Sequence, residues 1–139
     1  MITFLAWLFW KQKKYEKIAS YQHQTWKIAF QKNANLALLL HCGDSGPCEE
    51  IERRSPEADV VILEMGVPDI GEFPYHHRPS DVISFVQRHP DVKVLVTHNY
   101  ASAKGIESGF KMAELPDSVH QLEDGDYLEV EDDGSFIVK

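Results

Sequence analysis

Cysteine is scarce in this sequence, long apolar runs are missing, and positive charge is outnumbered. Two cysteines, Cys42 and Cys48, stand six positions apart in a chain of 139 residues. That is neither a disulfide framework nor a recognised zinc spacing, so a reducing, cytoplasmic setting is expected. The apolar start Ile2 to Trp10 is too short to cross a bilayer, has no basic region before it, and runs into Lys11, Lys13 and Lys14 with no small-residue cleavage site. No membrane span is expected; an interfacial anchor, a buried helix and a partner-facing segment all fit that stretch. The 14 Lys and Arg against 22 Asp and Glu leave a net charge of -8, which argues against broad contact with a phosphate backbone. Nucleic acid is disfavoured as a partner, whereas a small substrate or a metal can still use a local patch. Internal repeats and low-complexity tracts are absent as well.

What is present suits one soluble globular domain, since a chain of this length buries roughly two thirds of its surface on folding. Residues 1–24 form an atypical apolar and basic segment, expected to be helical to about Tyr21. Thr25 to Phe30 alternates like a strand, Lys32 to Asn35 supplies turn chemistry, and Leu36 to His41 is apolar enough to be a strand buried on both faces. Pro47 to Arg54 reads as a short helix with acids early and bases late, the charge order that suits the helix dipole. Val60 to Leu63 is a buried strand ending in Glu64. A long loop from Met65 to Arg78 holds the pair His76-His77, Ser80 is the expected cap of the next helix, and Val92 to Thr97 is a further strand with His98 after it. Asn99 to Pro116 reads as a loop, and the tail returns to a hairpin over Tyr127 to Val130 and Ser135 to Val138.

Strands alternating with helices imply right-handed crossovers and at least partly parallel pairing, hence an α/β fold. In such sheets ligands bind at the carboxyl ends of the strands. Asp44, Glu64 and His98 each fall at that end of one of three successive strands, and the loop before the second helix carries His77 to the same rim. Two carboxylates with two imidazoles suit either a metal site or an acid–base pair. Taken singly, each has a plainer reading: Asp44 as a helix cap or Asx turn, Glu64 as a hydrogen-bonded loop residue, His98 as a satisfied strand-end histidine, His76 or His77 as solvated.

The series Gly43-Asp44-Ser45-Gly46-Pro47, Ala58 to Glu64, His77 before a helix, and Val94-Leu95-Val96-Thr97-His98 resembles the C-terminal half of a metallo-β-lactamase-fold hydrolase. It is most similar to the branch with ribonuclease Z and the cyclic-nucleotide phosphodiesterases, over residues 36–139. The resemblance implies half of an αββα sandwich, with a mixed sheet, two main helices and a C-terminal β-hairpin over residues 25–139. It further implies a metal-dependent hydrolase of phosphodiesters using zinc or manganese. In that reading Asp44 bridges two ions, His98 completes the shell of the second, and Glu64 with His77 orients an imidazole for proton delivery.

The sequence departs from that family in lacking its His-x-His-x-Asp-His run, so Asp44 and His98 supply two ligands where a mononuclear catalytic site takes about three. Half a sandwich is also expected to leave an apolar sheet face open. Ile2 to Trp10, a second copy of the chain or a partner chain is expected to cover it, a homodimer being one arrangement. The competing expectation is a non-catalytic truncated or split half that acts through protein association.

Overall fold

The computed structural model describes residues 16–22, 25–32, 35–100, 113–131 and 133–139, with side chains described from residue 37 onward. Six strands form one sheet in chain order: β1 (Glu16–Gln22), β2 (Thr25–Lys32), β3 (Asn35–His41), β4 (Val60–Glu64), β5 (Lys93–Thr97) and β6 (Val119–Gln121). The first three are antiparallel neighbours, whereas β3 to β6 run parallel. Two short helices make the crossovers, α1 (Glu49–Arg54) between β3 and β4, and α2 (Pro79–Arg88) between β4 and β5. A separate antiparallel hairpin, β7 (Leu128–Val130) and β8 (Phe136–Val138), ends the chain. Among the described residues the fold is therefore α/β with a mixed sheet, two helices and a C-terminal hairpin, as expected.

Why the central strands are apolar throughout follows from their two covered faces. All five residues of β4 are buried. Val61 and Leu63 point to one side and join Leu40, Val94 and Val96 beneath Ile51 of α1 and Val82 and Phe85 of α2. Val60 and Ile62 point to the other side and join Ala37, Leu39 and Leu95 beneath Leu128, Val130 and Phe136 of the hairpin. Each such aliphatic side chain contributes about 1.5–3 kcal/mol when fully buried. Lys93 ties the hairpin to the sheet by donating from Nζ to the Phe136 carbonyl at 2.9 Å.

This packing corrects the expectation of an open apolar face. Over its described extent, the face of β3, β4 and β5 turned away from the helices is covered by the chain's own hairpin. Three further expectations change. Glu16–Gln22 is a strand, paired in register with Thr25–Gln31, and not the end of a helix; residues 1–15, including Ile2 to Trp10, lie outside the described residues. The second helix starts at Pro79, and the Asp81 carboxylate accepts from the Arg78 N–H at 2.9 Å, so the cap is built from Arg78 and Asp81 and not from Ser80. Strand β6, inside the tail, is three residues long and too short for an alternating pattern to show.

Candidate functional site

Because β3, β4 and β5 are parallel, their carboxyl ends share one rim, and three turns there set the polar side chains. After β3, Gly43 takes a positive φ of 66° and donates its N–H to His41 Nδ1 at 2.9 Å, while Ser45 Oγ donates to the Cys42 carbonyl at 3.0 Å. This tight turn lifts Asp44 into solvent. After β5, His98 has φ 52°, the one non-glycine residue with positive φ among the described residues. A left-handed backbone costs a residue with a side chain roughly 1–2 kcal/mol, so it persists only where the surroundings hold it. Here Met65 N–H donates to the Thr97 carbonyl at 3.0 Å, Tyr100 N–H donates to the Met65 carbonyl at 3.0 Å, and buried Asn99 donates from Nδ2 to Gln121 Oε1 at 2.6 Å. The turn brings His98 Nδ1 to 3.1 Å from Asp44 Oδ1.

At the end of β4, Glu64 is almost wholly enclosed, 1% exposed. Its Oε1 accepts from the His77 N–H at 2.8 Å and lies 3.2 Å from His76 Nδ1. Its Oε2 is buried without a hydrogen-bond partner. Burial pushes the Glu64 carboxyl above the ordinary range, against the opposing effects of the His77 N–H and the His76 ring. His76 lies at the surface edge, and its ring meets that of His98 edge to face, with centroids 6.2 Å apart and planes at 79°.

The structure thus brings together Asp44, His98, Glu64 and His76. It places His77 differently: the ring is buried beneath the rim, and its Nδ1, 3.9 Å from Glu64 Oε1, is itself without a hydrogen-bond partner. Burial lowers its pKa, partly offset by the backbone of Ser45. His77 touches Glu64 through its backbone N–H, and the imidazole at the carboxylate belongs to His76. Strand-end position marks Asp44, Glu64 and His98, but nothing in an irregular loop says which of two adjacent side chains turns inward.

Asp44 and His98 supply two donors, fewer than the three protein ligands that a catalytic zinc site takes. Asp44 and His98 are hydrogen-bonded to each other, and among the described residues no group of three or more His, Cys, Asp or Glu side chains could hold a metal ion. The arrangement instead consists of two carboxylate–imidazole pairs set side by side. In each, the ring's Nδ1 faces the carboxylate, which leaves Nε2 as the nitrogen for other work.

Comparison with known proteins adds a structural likeness. No family model matches the sequence, and no curated protein matches it. Among solved structures, the chain is similar to the metallo-beta-lactamase fold protein YhfI from Bacillus subtilis, with 14% identity and a TM-score of 0.42 over 61% of this chain. The match covers 36% of that protein, so the chain spans about a third of its length. No helix among the described residues is long and apolar enough to cross a membrane.

Proposed function

We propose that the rim is the acid–base centre of a hydrolase acting on a small phosphodiester, with His76 and His98 moving protons and Glu64 and Asp44 orienting them. The observation that carries this reading is the paired geometry: two imidazoles 6.2 Å apart, each with Nδ1 at a carboxylate. A neutral ring takes a proton at Nε2 from water as the water oxygen bonds to phosphorus. The other ring, as imidazolium, gives its proton to the leaving oxygen as the second P–O bond breaks. The carboxylates fix the tautomer, and each stabilises positive charge on its ring. The motif series at Asp44, Glu64 and His98 supports the same reaction class. A metal-dependent form of it requires at least one further donor from outside the described residues or from a partner chain, which gives a second copy a completing role.

Hydrolysis of bis(4-nitrophenyl) phosphate by the purified chain, with and without added zinc or manganese, tests the reading. Replacing either His76 or His98 by Gln is expected to lower the rate by about 100-fold or more, the usual contribution of a positioned acid or base. No turnover under any of these conditions, or turnover indifferent to both substitutions, would overturn it. In that event the second reading takes over: a non-catalytic half acting through protein association, favoured by the short donor set on an exposed rim.

A further inference from the structure

Two glycines at the rim are there for space and not for backbone freedom. Neither Gly46 nor Gly66 has a positive φ, unlike Gly43, Gly71, Gly125 and Gly134. A Cβ at Gly125 would meet nothing within 4 Å, so that glycine serves its φ of 110°. At Gly46 the reverse holds. A Cβ there would stand 2.2 Å from the Pro74 carbonyl oxygen, 2.8 Å from its carbon and 2.9 Å from the His76 nitrogen. All three are backbone atoms, so no rotamer change relieves the contact. At Gly66 a Cβ would stand 2.6 Å from Glu64 Oε2 and 3.1 Å from His76 Nδ1, the two side chains whose meeting builds one of the carboxylate–imidazole pairs.

We infer that Gly46 and Gly66 are positioning residues for His76. Gly46 lets the turn after β3 seat directly on the backbone of Pro74 to His76, so the loop that carries His76 is fixed by the turn that carries Asp44. Gly66 keeps open the volume in which Glu64 and His76 approach each other. The two paired sites are thereby set at their spacing by backbone contact, and a single methyl group at either glycine separates them. The inference deepens the acid–base reading of the rim, but it concerns the placement of His76 and stands whether or not a phosphodiester is the substrate.

The test needs no substrate. Nitrogen-15 spectra of the histidine side chains are expected to show His76 protonated at Nδ1 in the wild-type chain at neutral pH. Gly66→Ala and Gly46→Ala are each expected to raise the share of the Nε2–H tautomer at least threefold, with His89, held by Glu52 at 2.7 Å, unchanged as the control. Should Gly66→Ala fail to fold, a stability cycle with Glu64→Ala decides. Removing the carboxylate vacates the space, so Glu64→Ala/Gly66→Ala is expected to fold and to match Glu64→Ala in its denaturation midpoint. An unchanged His76 tautomer in the folded single variants overturns the inference, as does a double variant that bears the full added cost of both changes. Loss of hydrolysis in the wild type with these results intact overturns only the reaction and leaves the positioning role standing.

Discussion

Replacing Glu64 by Gln tests whether the protein keeps a carboxyl where an ionised one is disfavoured. Gln has the same shape, and its carbonyl oxygen can still accept from the His77 N–H, which donates at 2.8 Å in the wild type. What the substitution removes is the charge. Burial raises the folded carboxyl above its unfolded value of 4.5, so the folded state binds more protons than the unfolded state in the window above that value. Stability of the wild type therefore falls as pH rises from about 4.5 to the folded pKa, by at most ~1.4 kcal/mol per pH unit for a single group. The Gln variant lacks this slope. Urea denaturation of both proteins from pH 4 to pH 8 should show near equality at the acid end and a growing advantage for Glu64→Gln as pH rises, at unchanged m-value. Glu64→Ala should lose the slope too, but it leaves a buried N–H unpaired, at a cost of about 1–3 kcal/mol at every pH. A wild type that gains on the Gln variant as pH rises would mean instead that the His76 ring and the His77 N–H outweigh burial, so that the folded carboxyl lies below its unfolded value.

Further predictions follow from the same residues. His77 is buried with its pKa lowered, so the folded state resists its protonation; stability should fall as pH drops below the ordinary imidazole value of 6.5, and His77→Gln should abolish that part of the acid slope in the same urea series. Cys42 is buried and its thiol pushed far up by burial, whereas Cys48 is exposed; iodoacetamide should add one label per native chain and two per unfolded chain, counted by mass spectrometry. The left-handed backbone of His98 tolerates Asn and penalises a β-branched residue. His98→Asn should thus stay within about 0.5 kcal/mol of the wild type, and His98→Val should cost roughly 1–2 kcal/mol more than the Asn change, by denaturant midpoint.

Much of the rim was legible in the sequence because strand-end position is a backbone property. Val60 to Glu64 reads as a buried strand from its apolar run, and with parallel strands Asp44, Glu64 and His98 fall on one edge. The alternation of strands and helices supplied that inference. Glu16–Gln22 was not legible. Glu, Lys, Ala and Gln carry helical propensity, and it is pairing along β2, a contact made by backbone partners elsewhere in the chain, that makes this segment a strand. The covered face was hidden for a similar reason. Leu128, Val130 and Phe136 alternate as a half-buried hairpin should, but their pattern does not say which surface they bury against. The choice of His76 over His77 depends on a loop path fixed by Gly46 and Gly66, whose role is a contact between segments distant in sequence.

His76 and His98 are proposed as the acid and the base of one site, and kcat/KM on bis(4-nitrophenyl) phosphate for the two single variants and the double variant tests that directly. His76→Gln and His98→Gln are each predicted to lower it by about 100-fold or more, and the double variant to lose less than the product of the two, as groups that act as one unit do. Losses that multiply in the double variant, or single variants that keep the wild-type kcat/KM, would contradict it.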